Sequence, residues 1–210
     1  LMHYTEPLDL LETGRFQVPE KLLVDEATGT KYESSSPTLA HFGGGTYIVG
    51  VRLVNYDHAN GKWFNSKYAD RVIRTREVGT LWRPDSAVHA GRDVYWEIAQ
   101  NVPAEWPAAP VLGMEDQRFC HYQGQIWFTA NNWQTPEKPG YPQMVLGRLS
   151  DDYRSVDRVL PLRWSGAQAI EKNWLLFVDR GELRVVYGYD PLVVLTVDTE
   201  TGVCTEVARH

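Results

Sequence analysis

His121-Tyr122-Gln123-Gly124-Gln125-Ile126-Trp127-Phe128-Thr129-Ala130 is an apolar run, a glycine-bearing turn and a second apolar run. That is the pattern of a β-hairpin, whose tight turn needs the positive φ that glycine adopts at no steric cost. The same pattern stands at His41-Phe42-Gly43-Gly44-Gly45-Thr46-Tyr47-Ile48-Val49-Gly50-Val51-Arg52 and at Val178-Asp179-Arg180-Gly181-Glu182-Leu183-Arg184-Val185-Val186-Tyr187. A second hairpin follows at 145–152 and at 194–202, where apolar alternation runs into an Asp- or Gly-bearing turn, and 68–82 is a looser counterpart. Two hairpins make a four-stranded antiparallel unit, and repetition of such a unit is the mark of radially arranged sheets. The sequence therefore predicts an all-β fold, a β-propeller of four-stranded antiparallel blades. Three blades are recognisable, at roughly 30–85, 110–165 and 170–208, within a single domain over 1–210.

Composition agrees with this reading. The 210 residues include 8 Trp and 11 Tyr against 3 Met, which favours strands over helices. Hydrophobic residues at 43% and charged residues at 23% are globular values, so neither a disordered tail nor a fibrous repeat fits. The best helical candidates, 6–11 and 167–172, are no longer than about two turns. The formal charge is -6 and the Lys and Arg residues are dispersed, so no basic stripe exists for nucleic acid. Apolar stretches such as 192–197 fall far short of the roughly 20 residues that span a bilayer, so no membrane partner is expected. Cys120 and Cys204 are the only cysteines and no Asn-x-Ser/Thr acceptor occurs, which points to a reducing, cytoplasmic setting. Leu1 stands ahead of Met2, as expected of processing, a tag remnant or a fragment.

The loops at 57–65, 101–110 and 131–142 gather polar and aromatic residues, and loops on a rigid β scaffold commonly carry function. Nine positions before Gly45, Gly124 and Gly181 lie Ser36, Glu115 and Lys172; eight before lie Pro37, Asp116 and Asn173. In a propeller the first strand of each blade lines the channel, so these corners converge at one mouth of it. Sugar chemistry needs a carboxyl group to protonate a leaving oxygen, a second group or anion to attack, and donors and aromatics to orient the ring. Asp116 or Glu115 supplies the acid in this reading, Arg52, Arg118 and Lys172 an anion clamp, and Trp133, Trp174 and Tyr187 the platforms. The competing reading is a structural Glu115–Arg118 ion pair at a blade corner. His41, His58, His89, His121 and Cys120 lack the spacing of a zinc site. Gly43-Gly44-Gly45 lacks the Lys-Ser/Thr of a phosphate loop.

Gly113-Met114-Glu115-Asp116-Gln117-Arg118, followed by Tyr122-x-Gly124 and Trp127-Phe128-Thr129, resembles the Gly-x-Glu-Asp-Pro-Arg strand of five-bladed β-propeller glycosidases. The likeness is greatest to the β-mannoside phosphorylase and hydrolase family, and more distant to the arabinanase and fructosidase clans. Glu171-Lys172-Asn173-Trp174 with Tyr187-x-x-Asp190-Pro191, and Arg52-x-x-Asn55, resemble further segments of that family, so the resemblance spans roughly 36–200. It implies a sugar over the central channel and cleavage with inversion, Asp116 acting as general acid beside Glu115. Arg52, Asn55, Arg118, Trp133, Lys172, Asn173, Tyr187 and Asp190 become the substrate-binding groups. No metal is implied, and inorganic phosphate is a candidate co-substrate. Gln117 stands where the family has Pro. Five such units need about 300 residues, so a second chain or copy, a longer protein, or capping by the N-terminal segment is expected to deal with the open arc. Two other readings stand beside the enzyme: a non-catalytic glycan-binding or interaction domain, and a glycosyltransferase-related propeller.

Overall fold

The computed structural model describes residues 18–57, 65–67, 69–83 and 94–210. The helical candidate at 6–11, residues 58–64 of the 57–65 loop with His58, and His89 lie outside the described residues. Among the described residues a 3-10 turn at Glu20–Leu22 precedes fifteen strands in order: β1 (Glu33–Gly43), β2 (Thr46–Val54), β3 (Tyr56–Asp57), β4 (Asn65–Ser66), β5 (Ile73–Trp82), β6 (Trp96–Ile98), β7 (Val111–Leu112), β8 (Met114–Tyr122), β9 (Gln125–Asn132), β10 (Gln143–Leu149), β11 (Val156–Pro161), β12 (Leu175–Asp179), β13 (Glu182–Tyr189), β14 (Leu192–Val197) and β15 (Cys204–Arg209). They build three antiparallel sheets ordered β1-β2-β5-β6, β8-β9-β10-β11 and β12-β13-β14-β15, with β7 added to β5 in parallel and β3 paired to β4. The fold is all-β and propeller-type, as the hairpin pattern requires.

The first strand pair of each sheet closes through two residues with positive φ: Gly44 and Gly45 (58° and 70°), Gln123 and Gly124 (49° and 78°), Arg180 and Gly181 (51° and 81°). This is the type I′ geometry, whose twist matches that of the flanking strands. The fourth strand of the first sheet, β6, lies beyond the 30–85 stretch expected for that unit. Its three residues alternate buried, exposed, buried, too short a run for periodicity to mark it. Residues 167–172 form irregular loop instead of helix, because the Glu171 carboxylate accepts from the Gln168 backbone N–H and from the Trp174 indole. Among the described residues no helix is long and apolar enough to cross a membrane.

Innermost strand β8 packs between β1 and β12. Period-2 alternation sends neighbouring residues of β9 to opposite faces. Phe128 joins Ile48, Ile98, Phe119 and Leu149 between the first and second sheets, whereas Trp127 joins Met144, Leu146, Leu183 and Leu195 between the second and third. Burying each such side chain stabilises the fold by roughly 1.5–3 kcal/mol. The outer face of the first sheet, with Val49, Val51, Leu53 and Val78, is covered by Val18, Leu22, Leu23 and Tyr32. The outer face of the third sheet carries Leu175, Phe177, Val186 and Val194, which stay partly exposed.

Candidate functional site

Three non-glycine residues in the left-handed backbone region sit at corresponding ends of the innermost strands: Ser36 (φ 41°), Asp116 (φ 53°) and Asn173 (φ 65°). Such a conformation is uncommon for side chains bearing a Cβ and persists where surrounding structure holds it. For the first two, pairing register shifts between Ser35 and Pro37 and between Glu115 and Arg118, and a bulge of this kind re-aims a side chain. Counting from the glycines aligned Pro37 with Asp116 and Asn173. The structure puts Ser36 there, because a second irregularity between His41 and Gly43 shifts the count by one.

Arg52 of β2 is 4% exposed and reaches the second sheet. Its Nε donates to Thr75 Oγ1 (3.0 Å), its Nη1 to Asp116 Oδ1 (2.9 Å) and its Nη2 to Glu115 Oε1. Glu115 Oε2 also accepts from the Trp133 indole N–H (2.8 Å), and the Arg52 guanidinium lies over the Tyr56 ring, 5.9 Å from its centre. The planar fork of arginine suits this division between two carboxylates. Burial alone would lower the Arg52 pKa, yet the carboxylates of Glu115 and Asp116 beside it hold it above its ordinary value. Burial pushes Asp116 upward, but the Ser36 hydroxyl bond and the charges of Arg52 and Arg118 outweigh it and keep the carboxyl below the ordinary Asp range. In the free protein Asp116 is thus a carboxylate at neutral pH. The ion pair of Glu115 comes from Arg52 and not from Arg118, its neighbour in sequence.

The other expected site residues fall elsewhere. Asn55 is fully buried, donates to the Val72 carbonyl (3.4 Å) and accepts from the Arg74 N–H (2.9 Å), so it braces the chain between β2 and β5. Lys172, Tyr187 and Asp190 line a separate cleft of about 530 Å³ with Trp164 and Arg209. Asn173 follows Lys172 at the head of β12 and is exposed. Tyr187 donates to Glu171 Oε1 (3.1 Å); burial, and then the Glu171 charge, raise its pKa. Trp174 is 1% exposed with its indole bonded to Glu171, so it is a core residue and not a platform. Gln117 is fully buried, and neither atom of its amide has a hydrogen-bond partner among the described residues.

Glu77 went unnoticed in the sequence, although a signal was present. In β5 it shares the phase of the buried Ile73, Thr75 and Gly79, and an ionisable residue in the core phase of a strand is seldom without a partner or a purpose. The sequence gives Ser36 a place at the blade corner without a role, and its match to Asp116 in backbone conformation depends on a bulge that spacing does not reveal. Among the described residues no three His, Cys, Asp or Glu side chains gather as a metal site.

No protein-family model and no curated protein sequence matches the chain. Solved structures do. One is Zg3597, a family 117 glycoside hydrolase of the marine bacterium Zobellia galactanivorans, at TM-score 0.51 and 12% identity over 92% of this chain and 49% of that one. Another is the α-L-arabinofuranosidase of Lactobacillus brevis, at TM-score 0.51 and 10% identity over 84% and 55%. A third is an ulvan lyase of polysaccharide lyase family PL25, at TM-score 0.50 and 9% identity over 89% and 44%. The chain spans about half the length of these structures, and at such identities the likeness is one of fold.

Proposed function

We propose that the chain is a carbohydrate-active module that binds a glycan at the Arg52–Glu115–Asp116 cluster and cleaves a glycosidic bond. The observation that carries this reading is a carboxylate on a left-handed bulge, held by a buried arginine and flanked by an indole-bonded glutamate. The names of the similar folds, two glycosidases and a polysaccharide lyase, support the substrate class. The sequence resemblance narrows it to a β-mannoside, cleaved with inversion by water or phosphate, with Arg118 as an anion ligand at the cluster and with Lys172, Tyr187 and Asp190 meeting a further part of the ligand in the separate cleft.

A general acid must hold a proton, and Asp116 does not hold one in the free protein. The acid role therefore requires that bound sugar displace Ser36 or Arg52 from Asp116, which raises the carboxyl pKa by removing the bonds that favour its charge. This gives a test: kcat, which reports the bound complex, should fall with rising pH at a higher midpoint than kcat/KM, which reports the free protein. Asp116→Asn should abolish turnover with the fold retained. Turnover in Asp116→Asn equal to the wild type overturns the assignment.

The low pKa of Asp116 also favours a second reading, a glycan-binding domain without turnover. Calorimetric binding of manno-oligosaccharides by wild type, with no products on prolonged incubation, would select it. A second copy closing the arc over the open face of the third sheet belongs to the enzyme reading, and light scattering distinguishes monomer from dimer.

A further inference from the structure

Glu77 lies directly across the strand pair from Arg52, yet Arg52 gives its donors to Thr75, Glu115 and Asp116. Both Glu77 carboxyl oxygens lack a hydrogen-bond partner among the described residues, and the residue is 0% exposed. Its side chain folds over Gly50, where a Cβ would come within 2.5 Å of Oε1 and 2.8 Å of the Phe119 ring. Glycine at position 50 is what leaves room for a carboxyl group between the first and second sheets.

The charges facing Glu77 are Arg52 from β2, and Asp116 and Arg118 from β8; Glu115 shares the Arg52 fork. With Glu77 neutral, two arginines meet two carboxylates and the cluster is balanced. An ionised Glu77 would be a third carboxylate in the cluster, fully buried and with no donor. Burial is the main influence on Glu77 and, with Asp116, outweighs the arginines, holding its carboxyl well above the usual Glu range.

We propose that Glu77 is a proton-bearing positioning residue, which as a neutral acid leaves the Arg52 fork to Glu115 and Asp116, and whose ionisation draws Arg52 away and dismantles the cluster. The proton passes to solvent base, and the new carboxylate competes for the guanidinium already opposite it. The role in a working site rests on the glycan reading above; the proton itself does not.

The experiment is a pH titration of protein labelled with ¹³C at the glutamate side-chain carboxyls, followed together with the Trp133 indole N–H resonance. One glutamate signal should stay at its protonated position after every other has titrated, and it should be missing in Glu77→Gln. The Trp133 resonance should shift as that signal titrates in wild type and stay in place in Glu77→Gln, a response that a merely space-filling residue would not produce. Wild-type infrared spectra, which need no variant, should show a protonated-carboxyl C=O band at a pH where the other glutamates are ionised. Titration of all glutamates together, absence of that band, or the same Trp133 shift in Glu77→Gln overturns the proposal. If the retained proton is found and no glycan is bound or turned over, the glycan reading fails and Glu77 stands. If Asp116→Asn loses turnover but Glu77 titrates normally, the reverse holds.

Discussion

Ser36 and Asp116 occupy equivalent left-handed positions on neighbouring innermost strands, each at a shift in pairing register. Ser36→Gly and Ser36→Ala both remove the hydroxyl, but only glycine relieves the backbone. Ser36→Gly should therefore be about 1 kcal/mol more stable than Ser36→Ala. Urea denaturation of the pair decides this, and equal stabilities would mean that the bulge is not strained.

Arg52 neutralises carboxylates that have little water: the side chains of Arg52 and Glu115 are 5% and 10% exposed. Arg52→Met keeps the bulk and removes the charge, leaving Glu115 buried and unpaired, which should cost about 3–5 kcal/mol. Adding Glu115→Gln should restore part of the loss. A double variant no better than Arg52→Met would show that the arginine matters for packing alone.

Asp116 and Glu77 should tilt the pH dependence of stability in opposite ways. The Asp116 pKa is lowered on folding, so its contribution is present above its unfolded value near 3.8 and is lost as pH falls through the folded value. The advantage of wild type over Asp116→Asn should shrink in acid. The Glu77 pKa is raised, so stability is lost as pH climbs above its unfolded value near 4.5. Glu77→Gln should match wild type in acid and exceed it at neutral and alkaline pH. Parallel stability curves for wild type and Glu77→Gln would contradict this.

Cys204 lies in the core beside β14, and burial pushes its thiol up to about 12, whereas Cys120 is half-buried and raised less far. Because the thiolate is the reactive form, Ellman's reagent at mildly alkaline pH should modify Cys120 slowly and Cys204 only after denaturant is added. Prompt reaction of both thiols in native protein would show that the third sheet opens readily.

Fold and site differ in how far they could be read from the sequence. The hairpins were legible because Gly44-Gly45, Gln123-Gly124 and Arg180-Gly181 are local signals flanked by alternation, and local signals survive without knowledge of the partner strand. β6 was not, since three residues carry no period. At the site, Glu115-Asp116 and Arg52 were legible as residue types, and the strand repeat brought Glu115-Asp116 to the same corner as Ser36. That Arg52 and not Arg118 pairs with Glu115 depends on how two sheets face one another. Asn55 and Trp174 show the converse: within a motif such a residue reads as a ligand, and spacing does not reveal that the chain also uses it to satisfy buried backbone and carboxylate groups.

The segment from Val18 to Tyr32 gives the arc two unlike ends. Its first sheet is already roofed, whereas its third presents Leu175, Phe177, Val186 and Val194 to water. On the first sheet, a chain segment thus does the work that a neighbouring sheet does for the second: it keeps water from an apolar face without adding a strand.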